Sequence, residues 1–326
     1  MSQKNHFKFY QNTIVKSLCV AIIGLNSLYA QKVFKKESNP FVKHIYTADP
    51  SARVFNNRMY VYTSHDENDS KYFDMLDWHV FSSDDMVEWT DHGAIFGIDK
   101  ISWASKWAWA PDCIERDGKY YFYYPVERTK IGVAVADTPV GPFKDVLGKP
   151  IIDNTGQVEK IGPEPIDPAV LIDNGQAYMY FGCRELRAVK LKENMMEVDG
   201  DILNIEIKGI EGDKQNEGGY YGEGPWVFKR NGLYYFLYSN GWGKESTLVY
   251  ATGKHPLGPF KFMGEVMDPV SSFTSHGSIV EYNDKWYVFY HNKDLSNNDH
   301  MRSICFDEIT FDKSGKINRL SIPNKK

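Results

Sequence analysis

Five stretches of the chain decide its fold: DPSARVFNNRMYVY (49–62), APDCIERDGKYYFYY (110–124), DPAVLIDNGQAYMYF (167–181), GPWVFKRNGLYYFLY (224–238) and HGSIVEYNDKWYVFY (276–290). Each passes from a turn through an apolar pair to a polar hairpin tip, then into an aromatic-rich strand. Each carries a tyrosine eleven positions after its first residue: Tyr60, Tyr121, Tyr178, Tyr235 and Tyr287. Successive starts lie 61, 57, 57 and 52 residues apart, the regularity of an internal repeat. Weaker copies of a second half lie between them, at 79–93, 132–145 and 248–262, and a late strand pair runs through 302–311. One unit of about four strands cannot bury both its faces. Five stacked around an axis can, and closure leaves few free edges. The pattern predicts an all-β five-bladed β-propeller, occupying residues 31–326 as one domain. A β-sandwich would not require so even a spacing.

Composition agrees with a globular chain. Of 326 residues, 42% are hydrophobic, 25% charged and 15% aromatic, with 8 Trp, 21 Tyr and 19 Phe. Aromatics favour strands and also form flat apolar platforms for ligands such as sugar rings. The net charge of −5 is a poor match to a nucleic-acid backbone, so no nucleic-acid partner is expected. Residues 1–30 combine Lys4, Lys8 and Lys16 with a short apolar run, Ser17 to Leu25, and a small residue at Ala30. That is the layout of a secretory signal peptide, too short to span a bilayer, and it predicts a secreted or periplasmic protein. Lys16, Ser17 and Leu18 before Cys19 make a poor lipidation box, so no lipid anchor and no membrane span are expected. Beyond the leader stand Cys113, Cys183 and Cys305, far apart and without a C-x-x-C pair. They are expected as buried free thiols rather than as a disulfide or zinc site. A monomer without an appended binding module is expected.

The first strand of each propeller blade lines the central channel, so the residues opening these strands converge at one mouth. Here they are Asp49, Ala110 flanked by Trp109 and Asp112, Asp167, Glu223 just before its Gly-Pro, and His276. Asp-Pro is a common turn pair, and either one alone reads as structural. Three acids at matching blade positions read differently, because like charges in one pocket raise some pKa values, as general acid/base chemistry needs. Trp107 and Trp109, core residues by default, become candidates for sugar stacking beside such a mouth. His276 admits three readings: a satisfied polar residue, a substrate contact, or a ligand for a hydrated metal ion.

With these markers the chain resembles glycoside hydrolase family 43, whose members invert the anomeric centre of arabinose-, xylose- and sometimes galactose-containing plant polysaccharides. The resemblance rests on Ala48-Asp49-Pro50, Trp109-Ala110-Pro111-Asp112, Ile166-Asp167-Pro168-Ala169-Val170, Glu223-Gly224-Pro225 and His276-Gly277-Ser278, in order over residues 40 to 320. It implies Asp49 as general base, Glu223 as general acid and Asp167 as the carboxylate that tunes and orients the acid. It implies that His276 contacts a calcium ion at the propeller axis, and that Arg302 reaches the sugar and pairs with Asp167. A carbohydrate is the expected partner, with α-L-arabinofuranosidase or β-xylosidase action first and endo-xylanase, arabinanase or galactan-directed action second. Two other readings stand beside this one. A retaining fructosidase-type propeller would carry Asn-Asp-Pro-Asn-Gly and Glu-Cys markers, which this chain lacks. A non-catalytic carbohydrate-binding propeller has no use for three carboxylates. The loop His65 to Asp77 and the loop Gly209 to Tyr221 are expected to shape the pocket.

Overall fold

The computed structural model describes residues 31–155, 164–209 and 219–322. The expected leader at 1–30 and most of the 209–221 loop lie outside the described residues. The strands form five sheets, four of them antiparallel and one mixed, arranged as a five-bladed β-propeller. The first comprises β1 (Lys32–Lys35), β2 (Tyr46–Phe55), β3 (Arg58–Asp66), β4 (Asp77–Ser83) and β5 (Glu88–Gly97). The second holds β6 (Asp112–Arg116), β7 (Lys119–Val126), β8 (Lys130–Ala136) and β9 (Ile152–Asp153). The third holds β10 (Ala169–Asp173), β11 (Gln176–Phe181), β12 (Arg187–Leu191) and β13 (Val198–Asn204). The fourth holds β14 (Ile207–Lys208), β15 (Glu223–Arg230), β16 (Leu233–Ser239), β17 (Leu248–Gly253) and β18 (Phe260–Glu265), with β14 parallel to β18. The fifth holds β19 (Gly277–Tyr282), β20 (Lys285–Asn292) and β21 (Ser303–Ile309).

The innermost strands β2, β6, β10, β15 and β19 each touch the next, and β19 returns to β2, so the ring is closed. The fifth blade has three strands rather than the expected four. The start of the chain completes it: Phe41 N–H donates to Ile304 O at 3.1 Å and Thr47 N–H to Arg302 O at 2.9 Å. This tie between the two ends of the ring covers the edge that β21 would otherwise expose.

Alternation along the strands explains the aromatic content. In β7, Tyr120, Phe122 and Tyr124 pack with Tyr62 and Trp78 of the first blade, while Tyr123 packs with Met179 and Phe181 of the third. A blade is thus buried on both faces, and each junction between blades is its own apolar core. Among the described residues there are five such cores, one per junction. The repeated tyrosine has the same task in every blade, since Tyr60, Tyr121, Tyr178, Tyr235 and Tyr287 each pack into the core toward the next blade. Trp78 is fully buried at the first junction, and truncating it to Ala would cost about 3–5 kcal/mol. Cys113, Cys183 and Cys305 are buried free thiols.

Below the mouth the channel is filled. Arg53 of β2 donates to Asp112 of β6 (Nε to Oδ1 3.0 Å) and to the carbonyl of Val170 in β10 (2.8 Å), and its guanidinium lies 4.1 Å from the Trp226 ring centre in β15. Asp112 also accepts from Ser51 Oγ at 2.7 Å and from the Val170 N–H at 2.6 Å. One buried ion pair therefore bridges four blades, with every oxygen of its carboxylate satisfied, the condition under which a buried pair is tolerated.

Candidate active site

Three repeat starts share one backbone device. Asp49, Asp167 and Gly224 all adopt the left-handed conformation, with φ of 54°, 57° and 67°, and each precedes a proline. Aspartate tolerates this region better than most residues, at a cost of order 1 kcal/mol or more each. In the fourth blade glycine takes the strained position and the carboxylate moves one residue back, to Glu223. The ladder slips at two of these points, between Ala48 and Ser51 and between Glu223 and Trp226. Such bulges re-aim side chains next to active sites.

The result is a cavity of about 390 Å³ at the channel mouth, lined by Asp49, Asp167, Glu223, Trp109, His276 and Arg302 among others. Loop 65–77 contributes Tyr72, Phe73 and Met75 to its wall, and Trp242, Phe273 and the Arg128–Glu164 ion pair also line it. Trp107 is not in the wall. It stacks behind Trp109 with ring centres 5.8 Å apart, and its Nε1 donates to Asp74 Oδ1 at 3.1 Å.

The three carboxyls sit in different environments. Asp49 is buried, which would raise its pKa, but Arg302, His291, His276 and Ser64 more than offset this and hold it at about 2. Arg302 Nη1 donates to its Oδ1 at 3.0 Å, Ser64 Oγ to its Oδ2 at 2.6 Å. His291 is pushed down to about 3 by burial and by Arg302, so it is neutral. Its Nδ1 accepts the Asp49 N–H at 3.1 Å, which assigns its proton to Nε2, directed at Thr274 O at 3.0 Å. Glu223 moves the opposite way. Burial and the negative Asp49, against a hydrogen bond from Trp242, push it up to about 8. Asp167 is also raised well above its usual value, by burial first and then by Glu223 and Asp49. Asp167 and Glu223 therefore titrate as a pair that holds a proton at neutral pH. Asp167 Oδ2 accepts the N–H of Gly224 at 3.0 Å, which pins the backbone next to Glu223.

Arg302 departs from its expected pairing with Asp167. Its guanidinium is shared between Asp49 and Asp66: Nε donates to Asp66 Oδ2 and Nη2 to Asp66 Oδ1, both at 2.9 Å, and its backbone N–H reaches Asp66 Oδ2 at 2.7 Å. The reason is the ring closure. Arg302 immediately precedes β21 in the last blade, which abuts the first blade, where Asp49 and Asp66 reside; Asp167 belongs to the third. Asp66 and Ser64 were not legible as site residues, since neither sits in a repeated motif. Their signal is position alone, two residues apart at the end of β3.

His276 is buried, with Nδ1 3.9 Å from Asp49 Oδ1 and 3.8 Å from Asp167 Oδ2, and burial lowers its pKa. Calcium prefers six to eight oxygen ligands. Around His276 the oxygens of Asp49 are engaged by Arg302 and Ser64, so an ion here would have to keep most of its water, with His276 as the one free side-chain donor beside it.

A buried ionised carboxylate and a buried protonated one, walled by aromatic rings at the mouth of a propeller, are the groups that acid/base hydrolysis of a glycoside requires. Comparison with known proteins extends this. The model of glycosyl hydrolases family 43 matches residues 38–317, and the chain belongs to that family. It is similar to xylosidase/arabinosidase 43A of Humicola insolens, 38% identical over 85% of this chain and 98% of that one. It is also similar to a xylosidase/arabinosidase of Bacteroides ovatus, 34% identical over 87% of this chain and 97% of the relative. Among solved structures it matches the calcium-free form of CoXyl43, a GH43 beta-xylosidase/alpha-arabinofuranosidase from a compost microbial metagenome, in complex with xylotriose. The TM-score is 0.78 at 37% identity, covering 89% of this chain and 99% of that one.

Proposed function

We propose that the protein is an inverting exo-acting glycosidase that removes β-D-xylosyl or α-L-arabinofuranosyl units from xylose- and arabinose-containing chains. The observation that carries this is the opposed protonation of two carboxyls facing one cavity: Asp49 ionised, Glu223 protonated. In this reading Asp49 takes a proton from the attacking water, and Glu223 gives its proton to the departing glycosidic oxygen on the other face of the sugar. Arg302 and Ser64 keep Asp49 anionic. Asp167, which accepts the Gly224 N–H, fixes the backbone that carries Glu223. Trp109 and Phe73 supply apolar faces for the sugar. The names of the similar enzymes support the xylose and arabinose classes. His276 would hold a hydrated calcium ion, which when bound supplies positive charge near Asp49 and Asp167. The leader of residues 1–30 would export the enzyme.

The test is a panel of nitrophenyl β-xyloside and α-L-arabinofuranoside with xylo-oligosaccharides and arabinan, following the first-formed anomer by proton NMR. Inverted product from a xyloside or arabinofuranoside supports the reading; retained configuration overturns it.

A further inference from the structure

The loop that shapes the pocket begins at His65 and ends at Asp77. At its base, on the first blade, lies a group of metal-ligating side chains that the glycosidase reading does not use. His65, Asp77 and His79 each present one donor atom, and these atoms lie within 4.8 Å of one another. The sheet register produces the cluster. Thr63 of β3 pairs with His79 of β4 and Ser64 with Trp78, so the same ladder carried on sets His65 opposite Asp77, with His79 diagonal to it on the same face. Strand alternation turns His65 away from Ser64 and Asp66, which serve Asp49 and Arg302.

We propose that His65, Asp77 and His79 form a binding site for one transition-metal ion of the zinc class, separate from the catalytic cavity. Two imidazoles and one carboxylate are the donor set that zinc takes in three-ligand sites with a water in the fourth position. The distances suit it. Asp77 Oδ1 is 2.9 Å from His65 Nδ1 and 3.6 Å from His79 Nε2. These bracket the ~3.3 Å edge of a tetrahedron built on bonds of ~2 Å. Side-chain exposures of 21% for His65 and 29% for Asp77 leave room for the water, whereas His79 is buried.

A second observation comes from behind His79. Its buried Nδ1 faces Asp91, 3.5 Å from Oδ1, and no other hydrogen-bond partner lies within reach of it. Asp91 is itself held by His44 Nε2 at 2.8 Å and by the Gly93 N–H at 2.7 Å. This is the carboxylate–histidine–metal arrangement, in which the carboxylate orients the ring and directs the Nε2 lone pair at the ion. Calcium and magnesium, which select oxygen ligands, would not compete here.

The full chain, stripped with chelator, is titrated with CoCl₂ and ZnCl₂. One cobalt per chain is expected, with the intense visible absorption of a tetrahedral site, displaced by zinc, together with a rise in Tm that CaCl₂ does not reproduce. His65→Gln and His79→Gln should each weaken zinc binding more than tenfold, and Asp91→Asn ten- to a hundredfold at unchanged stoichiometry. His276→Gln should leave zinc affinity unchanged. Circular dichroism checks that each variant is folded. X-ray absorption on the zinc-loaded wild type gives a variant-free readout, expected to show two imidazoles. Absence of stoichiometric cobalt binding, a spectrum without two imidazoles, or undiminished binding in folded His65→Gln/His79→Gln overturns the site. None of these readouts uses glycosidase activity.

Discussion

Glu223→Ala separates proton donation from everything else the site does. The side chain is held protonated by burial and by the negative charge of Asp49, so the variant loses an acid, not a countercharge. General acid catalysis contributes about 10²–10⁴-fold, which is ~2.7–5.4 kcal/mol at ~1.36 kcal/mol per tenfold. That loss should appear in kcat for xylobiose, whose departing sugar oxygen needs the proton. A nitrophenyl xyloside leaves without protonation and should lose less than about tenfold. The pH profile gives an independent check. Wild-type kcat/KM should fall as pH rises through about 8, where Glu223 deprotonates, while Asp49 stays ionised down to about 2. In Glu223→Ala the alkaline limb should vanish for the aryl substrate and the profile stay flat past pH 8. The assay is initial rates on both substrates across pH, with Tm to confirm folding. Equal losses on the two substrates, or an alkaline limb surviving in the variant, would refute Glu223 as the acid.

Asp49→Ala removes the base, so both substrates should slow alike, and added azide should restore turnover with an inverted glycosyl azide identified by NMR; no azide product would count against the base assignment. Gly224→Ala should lower Tm and kcat together. The residue sits at φ +67°, and a Cβ there would lie 3.1 Å from His276 Nδ1, displacing the segment that carries Glu223; thermal unfolding and steady-state rates decide it.

Much of this protein was legible in the sequence. The spacing of Tyr60, Tyr121, Tyr178, Tyr235 and Tyr287 encodes the number of blades, because each blade must present the same aromatic to the next. Asp49, Asp167, Glu223, His276 and Trp109 were legible as cavity residues because repeat starts converge at the axis. The tertiary structure alone decided three things. Arg302 serves Asp49 and Asp66 rather than Asp167, since ring closure sets the last blade against the first. Trp107 packs behind Trp109, because a side chain's place in a wall depends on its local backbone, here at φ 63°. Arg53 fills the channel by bonding to Asp112 and Val170. A repeat reports what is equivalent in every blade. These pairings join residues that are not equivalent; Arg302 and Asp49 are 253 positions apart, and only closure of the ring brings those two into contact.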